Sequence, residues 1–312
     1  MASLKNFLRQ IFGGSEGEQA PVAVLVDDKI LDAEALASPI EEPLAPEPRF
    51  CSGSFQVGWM TDVGRVRGHN EDALYVFVGE QDASNAVPPF GLFMVSDGMG
   101  GHQAGEVASS LAVRIAAQHL ISQIYLSMLV GAGRGADQPS LNEIMRAAIS
   151  QANRSVTQDI PGSGCTLTCG MVLGDRLFIG HVGDSRAYLL RSGEPLRQLT
   201  HDHSIVSRLK EMGQLTEEEA AVHPQRNVLY RAIGQYELEV DVTTYALQPG
   251  DRLLLCSDGL WNMVNDADIL DLIDNAATPH VVCHDLVGAA NAAGGNDNIT
   301  VVFVDTSLRT ES

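Results

Sequence analysis

The chain has 312 residues, 45% hydrophobic and 19% charged, an ordinary globular balance with room for one large domain or two small ones. Forty acids against 20 Lys and Arg give a formal net charge of −20 with no basic run to offset it, which argues against nucleic acid as the main partner. Five cysteines are too few for a disulfide framework, and no secretory signal or apolar run of about 20 residues stands out, so a cytoplasmic protein is expected.

The first segment, "SLKNFLRQIFGG", repeats apolar residues at Leu4, Phe7, Leu8, Ile11 and Phe12, with Lys5 and Arg9 off that stripe. Residues 1–14 therefore read as a short amphipathic helix ended by Gly13 and Gly14. It is too short to stand alone, and the apolar face over 3–12 suits a membrane surface or a partner's groove. Peripheral membrane association is thus an expectation for this segment. Residues 15–50 hold nine acids against Lys29 and Arg49, with five prolines and almost no aromatics, and read as an acidic, proline-rich linker. This leaves 51–306 as the folded body and 307–312 as a tail.

From Phe55 short β-rich runs appear, "FQVGWM", "ALYVFV" and "FGLFMVSD", then helical patterns over about 101–126 and 140–158. The runs "CTLTCGMVL", "RLFIGHVGD", "RAYLLR" and "PLRQLT" follow as short strands between tight turns, a spacing that demands antiparallel pairing. A charged helical section over 204–233 precedes further strands, helices near 265–275 and 279–293, and a last strand "NITVVFVD". Strand blocks separated by helix blocks predict an α+β fold, with helices packed on antiparallel sheet. No internal repeat is visible. Cys165 and Cys169 have C-x3-C spacing, but no second pair answers them, so they read as buried thiols. "GAGRGAD" follows a helical pattern, not a strand, and is read as a loop insertion and not a phosphate loop.

Several strand ends carry a carboxylate. Glu71 and Asp72 precede "ALYVF"; Asp97-Gly98 and Asp258-Gly259 close two apolar strands; Asp184 lies in a turn; Asp297 opens the final strand. Turn and cap duty explains any one of them, but not why all fall at strand ends. If they converge, their repulsion would raise their pKa values unless cations sat among them. Ligation by oxygen alone selects hard ions, Mg²⁺ or Mn²⁺.

The ordered motifs "RVRGHNEDA", "DGMGGHQAGEVAS", "GDSRAYLL", "CSDGLW" and "NDNITVV" resemble the metal-dependent serine/threonine protein phosphatases of the type 2C family, in their bacterial form, over about 55–306. The resemblance implies an α-β-β-α sandwich of two antiparallel sheets flanked by helices, with a two-metal centre at one end. It implies that Asp97 bridges both ions with the Gly98 carbonyl on one, that Asp258 and Asp297 hold the other, and that Glu71 and Asp72 act through bound waters. Asp184, with Asp258, would recruit a weaker third ion. Arg67 resembles the family's phosphate-binding arginine. Mn²⁺ or Mg²⁺ would then generate a bridging hydroxide that attacks phosphorus directly, making Arg67, Asp97 and Asp258 the catalytic set.

Many eukaryotic members have a histidine where this chain has Met99, so a metal-bound water is expected as general acid ahead of His102. Residues 204–235 resemble the bacterial flap beside the active site. His201 and His203 have H-x-H spacing, but turn and cap roles are expected for them, not metal binding. The implied partners are phosphoproteins, with a serine/threonine kinase or its targets among them, and a monomer is expected. A non-catalytic phosphatase-like signalling module is the alternative, and a lost metal ligand would mark it; none is lost. A metal-dependent phosphodiesterase or nuclease is weakened by the negative charge and by the arginine motif.

Overall fold

The computed structural model describes residues 55–79, 87–100, 103–131 and 138–306. The N-terminal helix and linker, Cys51, His102, most of "GAGRGAD" and the 307–312 tail lie outside the described residues.

Strands are numbered along the chain. One five-stranded sheet runs in the order β1 (Gln56–Asp62), β12 (Ile299–Asp305), β11 (Arg252–Cys256), β8 (Arg186–Leu190) and β9 (Arg197–Gln198). The other runs β10 (Asp241–Ala246), β7 (Arg176–Val182), β6 (Leu167–Leu173), β3 (Phe90–Ser96) and β2 (Ala73–Gly79). All these pairings are antiparallel, as the short connections require.

The period-two alternation of side chains sorts the strands into layers. Phe93, Val95, Leu253, Leu255, Val302 and Val304 meet between the two sheets. Their neighbours point outward to the helices: Leu92 and Met94 on one side, Leu254, Val301 and Phe303 on the other. Near-continuous apolar strands are what a sheet buried on both faces needs. Over the second sheet lie α1 (Gln103–Leu120) and α3 (Leu141–Asp159), which bury Ala108, Ala112, Ala116 and Leu120 with Met145, Ile149 and Val156. Over the first lie α7 (Asp266–Asn275) and α8 (Pro279–Ala292), burying Ile269, Ile273, Val282, Leu286 and Ala290. The fold is therefore the α-β-β-α sandwich expected.

Local signals set the helix starts. Ser140 and Glu143 form a reciprocal capping box at α3, and Thr278 caps α8 with Pro279 in its first turn. The chain passes close to β1 there: a Cβ on Gly58 would lie 2.1 Å from the Pro279 carbonyl oxygen. The structure also refines three expected elements. The helix expected over 101–126 is α1, a π-helical turn at Ile121–Tyr125, and α2 (Leu126–Leu129). The strand expected in "PLRQLT" shrinks to the two residues of β9. "CTLTCGMVL" is cut at Thr166 into β5 (Gly164–Cys165), which pairs with β4 (Gly98–Met99), and β6. Thr166 leaves the ladder because it bonds Asp97 on both backbone groups, as described below.

The section 204–235 holds α4 (Ile205–Glu211) and α5 (Glu217–Ala221), capped by Ser204 and Thr216. It returns through a bridge of Ser204 with Leu229 and one of Cys165 with Ile233.

Candidate metal centre

Strand register decides where the acids fall. Ala73 pairs with Ser96, Leu167 with Val182, and Cys256 with both Arg186 and Val301. The final residues of β3, β7 and β11 thus lie beside the first residues of β2, β6 and β8 and near the start of β12. Each strand-end acid follows one of the former or precedes one of the latter, so sequence position alone delivers them to one end of the sandwich. A cavity of about 340 Å³ there is lined by Arg67, Glu71, Asp97, Asp184, Asp258 and Asp297, with Gly98 and Met99 beside them. Asp72 sits just behind, and Asp258 is the first residue of the short helix α6 (Asp258–Trp261).

Hydrogen bonds hold this end together. The Asp97 N–H donates to the Thr166 hydroxyl and the Thr166 N–H donates to the Asp97 carbonyl, both at 2.8 Å. The Ser257 hydroxyl donates to Asp72 Oδ2 at 2.7 Å and accepts from the Thr300 N–H at 2.9 Å. Buried Asn298 accepts from the Glu71 N–H at 2.8 Å and donates to the carbonyls of Val63 and His69, both at 3.0 Å, tying the 63–71 loop to the start of β12. Gly98 is where the loops close most tightly: a Cβ there would lie 2.3 Å from the Gly105 carbonyl oxygen and 2.6 Å from that of Glu71. Only glycine fits that gap.

The electrostatics are those of acids crowded without compensation. Burial, then the charges of Asp72, Asp258, Asp184 and Asp297, push Asp97 well above the carboxylate range. Burial, then Asp184, Asp297 and Asp72, does the same to Asp258. Burial, then Asp202, pushes Asp184 up to about 7, and burial pushes Asp72 up to about 6 against the pull of the Ser257 hydroxyl. Arg67 is the nearest offset. Its guanidinium donates to Asp297 Oδ2 at 2.7 Å, while its side chain stays half exposed at the cavity mouth.

Two buried oxygens, Asp72 Oδ1 and Asp258 Oδ1, have no hydrogen-bond partner. A buried bare carboxylate oxygen costs several kcal/mol, on the order of the penalty for an unpaired ion, unless a cation meets it. The donor set at the cavity is oxygen only, which fits Mg²⁺ or Mn²⁺. Among the described residues no three His, Cys, Asp or Glu side chains are grouped tightly enough to cage an ion by themselves.

The expected residues divide as follows. Asp97, Asp184, Asp258, Asp297, Glu71, Gly98 and Arg67 line one cavity, and Asp72 adjoins it. His201 and His203 form no metal pair: Glu211 takes the His201 Nε2 at 2.7 Å, and both ring nitrogens of His203 are occupied. Cys165 and Cys169 are buried free thiols. Sequence reading missed the supports. Thr166, Ser257 and Asn298 lie inside or beside the quoted motifs, yet their partners are dozens of residues away. Arg186 was also unassigned. It forks Asp202 through Nε (3.0 Å) and Nη2 (2.7 Å) and stacks on Trp261, whose indole N–H donates to the Asp184 carbonyl at 3.1 Å.

A family model described as protein phosphatase 2C matches residues 60–299. The serine/threonine phosphatase stp of Listeria monocytogenes is 37% identical over 257 residues, covering 80% of this chain and 94% of the relative. The crystal structure of the Mycobacterium tuberculosis serine/threonine phosphatase PstP/Ppp is similar with a TM-score of 0.65 and 37% identity, over 81% of this chain and 98% of that one. The catalytic domain of serine/threonine protein phosphatase PstP in complex with two manganese ions is similar at a TM-score of 0.64 and 36% identity, over 81% and 98% of the two chains.

Proposed function

The chain belongs to the protein phosphatase 2C family, and we propose that it hydrolyses phosphoserine and phosphothreonine in phosphoproteins, with Asp97, Asp258 and Asp297 as direct ligands of two divalent ions. The observation that carries the reading is the bare, buried carboxylate oxygen of Asp258 in the cavity, beside carboxyls raised by burial and then by mutual repulsion. When bound, the ions supply an activated water and offset the charge of the phosphoryl group. Asp97 and the Gly98 carbonyl would help to hold the ions, Glu71 and Asp72 would act through waters, and Asp184 with Asp258 would hold a weaker third ion.

Arg67 binds the phosphoryl group. Its contact with Asp297 fixes the guanidinium at the cavity mouth and leaves donors free to fork two phosphoryl oxygens. Met99 offers no proton, so this chain supplies no acid at that position for the leaving group. The flap's Asn227 lines both this cavity and a neighbouring groove of about 1000 Å³, which runs under the flap past Val206, Val222, Trp261 and Met263. That groove suits the polypeptide flanking the phosphorylated residue.

Several finer points belong to the same reading. Mn²⁺ or Mg²⁺ is the working ion; the enzyme opposes a serine/threonine kinase or acts on its targets; and it works as a cytoplasmic monomer, docked on a membrane surface or a partner through residues 3–12. No helix among the described residues is long and apolar enough to cross a membrane. A phosphoserine peptide should be hydrolysed with Mn²⁺ and not after chelation. Hydrolysis indifferent to chelator would sink the reading.

A further inference from the structure

The imidazole of His203, in the segment between β9 and α4, joins three parts of the molecule and is 1% exposed. The Gly183 N–H, in the turn that carries Asp184, donates to His203 Nδ1 at 3.0 Å, and the His203 N–H donates to the Gly183 carbonyl at 2.8 Å. A backbone N–H can only donate, so Nδ1 is the bare acceptor and Nε2 carries the proton. That N–H donates to Asp241 Oδ2 at 3.1 Å, on β10. Arg231 Nη1 lies 3.1 Å from the same Nε2, but both are donors once Nε2 carries its proton, and Nη1 instead donates to the other oxygen of Asp241 at 2.8 Å.

Arg231 lies on the returning limb of the flap. The adjacent Tyr230 N–H donates to the His203 carbonyl at 2.9 Å, and its ring lies 5.7 Å from the imidazole. On the outgoing limb, the next residue, Ser204, caps α4. The imidazole thus ties the Asp184 turn to Asp241 and, beside it, to Arg231 on the returning limb, while the His203 backbone bonds both Gly183 and Tyr230. The turn has little freedom to adjust alone: Gly183 has φ +111°, and a Cβ there would lie 2.6 Å from Thr166, whose hydroxyl holds Asp97.

We propose that His203 is a positioning residue whose Nδ1 acceptor keeps the Asp184 turn in register with the returning limb of the flap and so sets the placement of the Asp184 carboxylate. This rests on the phosphatase reading and adds a residue that positions that site. Neither partner of His203 touches the reacting atoms; the effect passes through Asp184.

Two substitutions separate this role from general packing. His203→Asn keeps an acceptor at the Nδ1 position and loses the donor; His203→Gln keeps a donor at the Nε2 position and loses the acceptor. Both remove the ring, so both should melt earlier by similar amounts. Calorimetric titration of the full, metal-stripped chain with Mn²⁺ should show the weakest site loosened about tenfold in His203→Gln and nearly unchanged in His203→Asn. Turnover of a phosphoserine peptide should follow the same order, in kcat more than in KM. Equal losses in the two variants, or a loss confined to KM, would overturn the proposal. If neither folds, Arg231→Gln tests it from the flap side: a loosened weak Mn²⁺ site supports the coupling and an unchanged one refutes it. Wild-type turnover is the separate control, since an inactive wild type refutes the phosphatase reading while the metal titrations still judge His203.

Discussion

At the level of single residues, the contrast between Asp258 and Asp297 shows how the cavity is built. Asp297 has both oxygens engaged, one by Arg67 and one by the Asn298 N–H at 2.9 Å. Asp258 receives Asn262 on one oxygen at 3.1 Å and nothing on the other. On the proposed reading, an amide in place of either Asp97 or Asp258 keeps the shape and would remove an anionic ligand. Asp97→Asn and Asp258→Asn should therefore fold, lose Mn²⁺ affinity, and fall in turnover by about 100-fold or more, near 2.7 kcal/mol of barrier. Normal Mn²⁺ affinity and turnover in Asp97→Asn would reduce these aspartates to turn residues. If Arg67 grips the phosphoryl group in ground and transition states alike, Arg67→Ala should raise KM about tenfold or more with little change in kcat. An unchanged KM would take Arg67 out of the site. The acids were legible in the sequence because each interrupts an apolar run with a charge that no solvated face explains. Their supports were not, because Thr166, Ser257 and Asn298 are small polar residues whose meaning lies wholly in distant partners.

Among the elements, strands and helices were legible wherever one period dominated. Helices were expected near 265–275 and 279–293 and run over Asp266–Asn275 and Pro279–Ala292. The departures occur where a local contact overrides the period: Thr166 interrupts an apolar run to hold Asp97, and the Ile121–Tyr125 turn widens an otherwise regular helix. The loop over 63–71 has no period of its own and is held by Asn298 together with the Arg65 N–H on the Gly295 carbonyl and Arg67 on Asp297. Asn298→Ala would strand one N–H and two carbonyls, and should cost about 2–3 kcal/mol by urea denaturation, with looser Mn²⁺ binding because Glu71 and Asp72 are carried on that loop. A loss under about 0.5 kcal/mol would mean that water replaces the amide without penalty.

For the molecule as a whole, the crowded acids tie stability to pH and to metal. A carboxyl whose folded pKa is raised holds its proton longer in the folded chain than in the unfolded one. Stability is then full below the unfolded value and is lost as pH rises through the folded value. Asp72 near 6, Asp184 near 7, and Asp97 and Asp258 raised well above their ordinary value all act in this sense. Buried His181 acts oppositely. Burial, helped by His203, lowers it to about 4, so its folded pKa lies below the unfolded one and its penalty grows as pH falls from about 6.5 toward 4. Buried His203 is lowered in the same sense, so both histidine contributions fade within about a pH unit above 6.5 and the acids then dominate. Metal-free protein should therefore melt several degrees lower at pH 8 than at pH 6.5, since each group still releasing its proton costs about 1.4 kcal/mol per pH unit. Mn²⁺ should reverse the trend and stabilise more at pH 8, where it no longer competes with protons for the same oxygens. Asp97→Asn, with one repelling charge fewer, should melt above the wild type when both are metal-free at pH 8 and gain less from Mn²⁺. A metal-free melting temperature that stays flat or rises between pH 6.5 and 8 would show that the carboxyls do not crowd one another as their burial and spacing require.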